Sequence, residues 1–409
     1  MLQRISRLGM ILLVIFLSSV FLPKIYWLIF GTRIIPSRVY YSPVTNDFMI
    51  GKMGNKKFYW EDQYGKRYTR QEGDSLLPLQ NYRVLAAKGK LPDSLRGIKL
   101  DIEEIRRNNI NLRVKPYYLD SPSIPLYPLF ESKPPRFKLE IPEYYFRIKE
   151  GIEFISATTN QVNDSLSAIY NMALKEAGFR FPARKVFGNP TTRKPFDEGY
   201  FIIDNANQIF HLKRIHDRPF CANLHLPASV IPEWIIVKEM SLKEFYGLLI
   251  TRDNRLYFIL YDHYKLQPLP VPNFDPLNDV LEFNGNLFFR TFNVISGTEN
   301  HSFVTNRAYA LIDTLRISWT GQADTPAGKA AAYIFPFSLR FADSSSMYMD
   351  FYFTEYNVKS LIACLFFFIL TLTMMRRKFN RVKPISVLAL VFGMYGFIAL
   401  TMFNLGQDE

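Results

Sequence analysis

Long runs of apolar sequence at the two ends of the chain flank a middle region where apolar residues come in short tetrads between polar turns. Leu8 to Phe30 is broken only by Ser18, Ser19 and Lys24, and at 1.5 Å per residue it reaches about 34 Å, enough for a bilayer core. A cleaved signal peptide is the rival reading, but no Ala-x-Ala-like site stands near Ser18-Ser19-Val20-Phe21-Leu22, which favours an uncleaved anchor. Val358 to Met375 carries one charge, Lys359 at its edge, and Ile385 to Leu405 carries none. The pattern predicts transmembrane helices over 8–30, 358–375 and 385–405.

Positive charge orients them. Arg4 and Arg7 lie in 1–7, and Arg376, Arg377, Lys378, Arg381 and Lys383 crowd the loop 376–384, so both segments are expected on the cytoplasmic side. The expected location is the cytoplasmic (inner) membrane, with 31–357 outside as one large domain and the tail 406–409 outside as well. No Asp, Glu or His lies in the apolar segments to relay protons, so the helices are expected to anchor the domain in lipid and pack on partner helices.

The middle region reads as mainly β. Asp47-Phe48-Met49-Ile50, a turn at Gly51–Asn55, Lys57-Phe58-Tyr59-Trp60 and a turn at Gln63–Lys66 have the form of hairpins. Prolines 116, 122, 125, 128, 134, 135 and 142 predict extended chain in place of helix. One soluble helix is clear, over Asp164–Ala177, with Asp164 as cap, Gly178 at its end and Leu166, Ile169, Tyr170, Ala173 and Leu174 on one face. A subdivision is expected near 143–198. From Gly199 onward, polar turns at Asp204–Asn207, Arg252–Arg255, Asn284–Asn286 and Asn306-Arg307 each lead into an apolar strand, at irregular spacing. This predicts an antiparallel, hairpin-rich domain, propeller-like or a sandwich, with a few helices.

Composition narrows the function. The formal charge of +13 is misleading, because eight of the 50 bases lie in or beside the apolar segments and two of the 37 acids are Asp408 and Glu409. The mild remaining surplus over 31–359 has no basic block or RNA-binding motif, so no nucleic-acid partner is expected. Cys221 and Cys364 are the only cysteines, and Cys364 lies in an apolar run, so the middle domain has no internal disulfide.

Known chemistries fit poorly. Gly73-Asp74-Ser75-Leu76 has the form of an esterase nucleophile block, but the chain contains no Asp-x-x-His to supply the base. Gly321 to Lys329 has the wrong glycine spacing for a phosphate loop, and Ala330 stands where Ser or Thr is needed. His211, His216 and His225, with Asp217 and Cys221 near, are the densest metal-capable group, but their spacing matches no zinc pattern and strand alternation splits them between faces. Glu103-Glu104 beside Arg106-Arg107 read as ion pairs on a short helix. No catalytic residue, cofactor or bound metal is expected.

The N-terminal anchor, Tyr41-Ser42-Pro43-Val44, Asp62-Gln63-Tyr64-Gly65, Glu198-Gly199-Tyr200-Phe201-Ile202-Ile203-Asp204 and Phe210-His211-Leu212-Lys213 resemble a family of Bacteroidetes envelope proteins catalogued only as a domain of unknown function. The resemblance spans most of the chain and implies no reaction. It implies a partner, since genes of that family stand beside those of ATP-binding-cassette subunits. The expectation is a non-catalytic accessory of an ABC-type transport complex; the alternatives are an independent ligand-binding or sensing module, which gene neighbours would separate, and an enzyme with an unrecognised site.

Overall fold

In a computed structural model of the chain, the described residues are 2–31, 37–54, 57–120, 124–134, 139–341, 351–353, 356–379 and 384–404. The chain forms two compact units, Pro36–Ser318 and the pair of segments Met1–Ile35 and Trp319–Glu409. Residues 319–357, expected within the outer domain, thus group with the apolar helices.

The first unit is mainly β, and its larger sheets are antiparallel meanders in chain order. Sheet 1 holds Arg38–Ser42, Asp47–Gly54, Lys57–Asp62 and Arg67–Tyr68; sheet 2 holds Tyr127–Pro128, Tyr144–Ile148 and Ile152–Ser156. Sheet 3 holds Lys185–Gly188, Tyr200–Ile203, Ile209–Ile215 and Arg218–Asn223, and sheet 4 holds Pro232–Val237, Phe245–Thr251, Leu256–Leu260 and Leu266–Pro268. Sheet 5 comprises Val280–Gly285, Phe289–Ile295, Glu299–Asn306 and Leu311–Ser318, with the early strand Ile110–Val114 added beside Val280–Gly285.

Four of the apolar cores each lie between two of these sheets. Phe146 and Phe154 of sheet 2 meet Tyr200, Ile202, Phe210 and Leu212 of sheet 3. The alternate residues Phe201, Ile203 and Ile209 face the other way, onto Ile235, Leu249 and Ile259 of sheet 4. Phe245, Leu248 and Phe258 meet Leu112, Phe283 and Phe292 of sheet 5, and Phe289 and Val304 of sheet 5 meet Val39, Tyr41 and Phe48 of sheet 1. Burial on both faces explains why these strands read as continuous apolar runs.

Local details depart from the sequence reading. Gly51–Gly54 continue their strand, opposite Lys57–Trp60. Pro116–Asp120 is a short helix with its proline at the first position, where no amide hydrogen bond is lost. The helix Asp164–Glu176 is capped by Asn163, whose side chain accepts from Leu166 N at 3.0 Å. Tyr170 and Leu174 are buried, but Ile169 is 52% exposed, because the buried face turns toward Ser167, whose hydroxyl accepts from Phe154 N.

Among the described residues, the second unit contains two helices long and apolar enough to cross a membrane, Ile5–Phe30 within Leu2–Phe30 and Val358–Arg376, which includes most of Leu361–Phe379. The third expected spanning helix is instead two short ones, Val387–Phe392 and Met394–Asn404. Gly393 separates them at φ +54°, ψ −128°, a backbone conformation that L side chains rarely adopt. Hydropathy could not show this break, since the residues on either side of it are uniformly apolar.

The chain folds back there: a Cβ on Gly396 would stand 2.2 Å from Leu388 O. Gly393 faces Cys364, and Phe397 faces Phe367, one turn further along the long helix. Tyr395 stacks on Phe335, which touches Tyr26, while Ala399 and Leu400 share a core with Ile11 and Ile15. Met394–Asn404 therefore runs toward the C-terminal end of Leu361–Phe379 and the N-terminal end of Leu2–Phe30. Residues 380–383 of the basic loop and the tail 406–409 lie outside the described residues.

Candidate functional site

Strand alternation places His211 between sheets 3 and 4. Its neighbours Phe210 and Leu212 face sheet 2, so the imidazole points the other way, stacked on Phe201 at 4.2 Å and wholly buried. Its Nε2 lies 2.5 Å from the Glu198 carbonyl oxygen, which only accepts, so Nε2 carries the proton. Nδ1 then accepts from the Tyr264 hydroxyl at 3.0 Å. Burial, and secondarily the Lys213 ammonium, holds the imidazole well below its ordinary pKa, opposed by the bond to the Glu198 carbonyl.

The loop between Lys185–Gly188 and Tyr200–Ile203 brings charge to the same region. Gly199 (φ +65°) turns it sharply, and a Cβ there would stand 2.1 Å from Leu212 O. Glu198 pairs with Lys213 and accepts from the Tyr261 hydroxyl at 2.8 Å. Asp197 pairs with Lys194 and accepts from Gly199 N at 2.9 Å. Lys194 also reaches Glu239 at 3.1 Å, whose other oxygen accepts from Asn189 Nδ2 at 2.7 Å. Lys194, Asp197 and Glu239 are all buried, and burial raises the Asp197 carboxyl above its usual value against the pull of Lys194. Phe130 and the stacked Tyr246 and Tyr261 wall the two lysines.

The cluster contains acids, bases and an imidazole, yet every one of these groups is already engaged inside the protein. Surface cavities lie elsewhere, among them one of about 520 Å³ lined by residues that include Glu131, Glu140, Glu143, Tyr144, Arg214 and Asp217. Such an arrangement fixes two sheets in register and offers no open acid–base pair to a substrate.

The other expected candidates are dispersed. His216 and His225 are exposed, at φ +50° in turns, and their backbone amides bond Glu131 and Asn223. Among the described residues no group of three or more His, Cys, Asp or Glu is placed to hold a metal. The Cys221 thiol is pushed up to about 12 by burial, away from nucleophilic use. Ser75 ends the helix Arg70–Leu76 and donates to Gln71 O at 3.2 Å. In Gly321–Lys329, Thr325 caps the helix Pro326–Ile334 by accepting from Gly328 N.

Sequence reasoning missed the Lys194 cluster and a second buried charge, Arg290, which pairs with Glu244 under the Tyr309 hydroxyl. The only local signal was the pair Asp197-Glu198 ahead of an apolar strand; no spacing connects Lys194 to Glu239, 45 positions away.

The pattern of the DUF4857 family, a domain of unknown function, matches residues 38–305. The chain belongs to that family. The DUF4857 match begins at the first strand of sheet 1 and includes the whole buried cluster. No curated protein matches the chain. Among solved structures it is similar to the dihydro-heme d1 dehydrogenase NirN in complex with DHE, at 10% identity and a TM-score of 0.22 over 64% of this chain. The DUF4857 chain spans 60% of the length of that protein. It is also similar to a putative exported protein from Bacteroides fragilis, at 8% identity and a TM-score of 0.16, over 59% of this chain and 82% of that one.

The imidazole gives the domain an acid limit. The unfolded chain takes up a proton on His211 near pH 6.5, whereas the folded state, with its depressed pKa, does not. Stability is therefore complete above about pH 6.5 and falls below it, by at most about 1.4 kcal/mol per pH unit. Asp197, with its raised pKa, acts in the opposite sense and only in the carboxylate range. His211→Phe is expected to be less stable than wild type at pH 7.5, and the gap is expected to narrow on titration to pH 5. Thermal unfolding across that range checks it, and a constant gap would contradict it.

Proposed function

We propose that this is a non-catalytic, membrane-anchored protein whose β unit binds partners, as an accessory of an ABC-type transport complex in the cytoplasmic membrane. The observation that carries the non-catalytic reading is the closure of the buried cluster around Lys194, Lys213 and His211, in which each charged group is spent on another. The β unit is propeller-like on this reading, supported by meander sheets in chain order with cores between sheets 2 and 3, 3 and 4, 4 and 5, and 5 and 1. Arg4, Arg7 and the basic loop support an orientation with the N-terminus inside and the β unit outside.

The helices are more than a tether. The returning helix Met394–Asn404 covers the inner face of Leu2–Phe30, but Ile362, Leu365, Phe366 and Ile369 leave one face of Leu361–Phe379 open. In lipid such a face gains from close packing on a partner helix. The triple variant Ile362→Ala, Phe366→Ala, Ile369→Ala is expected to stay folded and membrane-bound but to lose ATP-binding-cassette subunits on purification in mild detergent. Mass spectrometry of the purified material reads the outcome, and an unchanged set of partners would count against the accessory role.

A further inference from the structure

We propose that the segments Pro326–Phe341, Phe351–Phe353 and Tyr356–Ser360 form a collar that sits in the headgroup layer of an anionic leaflet, at the end of the helical unit where Leu2–Phe30 finishes. The inference rests on the reading of the long helices as membrane-spanning.

Contacts place the collar at that end. Tyr26 OH donates to Ala327 O at 2.8 Å, which seats the helix Pro326–Ile334 on the last turns of the N-terminal helix. Asn357 N donates to Pro336 O at 2.7 Å, and the turn Val358–Ser360 leads into Leu361–Phe379. Phe337 packs on Phe353 at 5.1 Å and Phe341 on Phe351 at 5.1 Å, across the small sheet Leu339–Phe341 with Phe351–Phe353. Tyr356 OH donates to Val391 O at 3.0 Å, beside the break at Gly393.

The outer surface of the collar does not suit water. Tyr333 is 47% exposed, Phe351 64%, Phe353 62% and Val358 71%. These side chains continue the exposed apolar faces of both long helices, so the same lipid surface covers them. Aromatic residues favour this depth, where a ring lies in the acyl boundary. Exposed bases stand among them: Lys24, 5.7 Å from the Phe341 ring, with Lys329, Arg340 and Lys359. The described residues of the three segments hold no acid, and the exposed Asp324 stands just before the first of them. Long basic side chains beside aromatics that sit in lipid reach outward to anionic headgroups.

The test uses the full chain in nanodiscs. Nitroxide labels at Phe353→Cys and, separately, at Leu365→Cys, in a Cys221→Ala, Cys364→Ala background, report collisions with oxygen and with a water-soluble nickel complex. Both labels are expected to favour oxygen, the first several-fold less than the second. A water-accessible label at 353 with a lipid-exposed label at 365 overturns the collar alone; water at both positions overturns the spanning reading beneath it. Replacing a third of the phosphatidylcholine by phosphatidylglycerol is expected to raise the thermal midpoint. Lys24, Lys329, Arg340 and Lys359 changed together to Gln are expected to abolish that rise, whereas Arg376, Arg377 and Lys378 changed to Gln leave it in place. A rise that survives the first set overturns the anionic preference.

Discussion

Lys194→Met is expected to cost the β unit about 3–5 kcal/mol, the usual penalty for removing one partner of a buried ion pair. The Lys194 side chain is 3% exposed and its ammonium answers the carboxylates of Asp197 and Glu239, whose side chains are 0% exposed. Methionine fills the volume but leaves two buried negative charges without a counter-ion. One of them must take up a proton, so its folded-state pKa rises above the unfolded value and the penalty shrinks as pH falls toward the carboxylate range. Exchanging all three groups, as Lys194→Met with Asp197→Asn and Glu239→Gln, is expected to recover most of the loss. Thermal unfolding of the full chain in detergent measures both; a single variant as stable as wild type would mean that water already reaches the cluster.

A reporter fused after Glu409 is expected to read out on the same side as one fused after Lys378, and on the opposite side from one fused after Leu95. Uniform apolarity over 385–405 suggested a third crossing and an outer C-terminus. The reversal at Gly393 instead returns Met394–Asn404 toward the end where Leu2–Phe30 begins. Irregular backbone at membrane depth is tolerated where protein covers it, and Pro336 and Cys364 cover this break. With Arg4 and Arg7 inside, the fusions after 378 and 409 belong inside and the one after 95 outside. Activity of the last fusion outside the cytoplasm would restore the three-crossing reading.

These two predictions mark what the sequence made legible. Side-chain period revealed the helix at 164–176, and polar turns ahead of apolar runs revealed the strands Ile209–Ile215 and Leu256–Leu260. Side-chain period could not report which element covers a face, and so Ile169 counted as core although its side of the helix is half open. Hydropathy found the two helices long and apolar enough to cross a membrane, but a reversal that depends on one positive φ at Gly393 leaves no hydropathy trace. His211 was singled out as a metal candidate for its residue type. Its actual role follows from parity on the strand and from Glu198 and Tyr264, the latter 53 positions away. Long-range pairs such as Lys194 with Glu239 and Arg290 with Glu244 depend on how sheets stack, which one sequence does not encode in spacing.

The two ends of the β unit leave from one place. Asn300 Nδ2 reaches Ser37 O at 3.5 Å, and Ser318 pairs with Glu299, the adjoining residue. A chain of nearly three hundred residues thus enters and exits like a short turn once it has folded. The entropic cost of bringing together the N-terminal helix and the C-terminal segments then falls from that of a very long loop to that of a short one. A closed β unit thus favours the meeting of the N-terminal helix with the C-terminal segments. A lesion that prevents sheet 5 from forming would therefore register far from it, in the meeting of the N-terminal helix with its C-terminal partners.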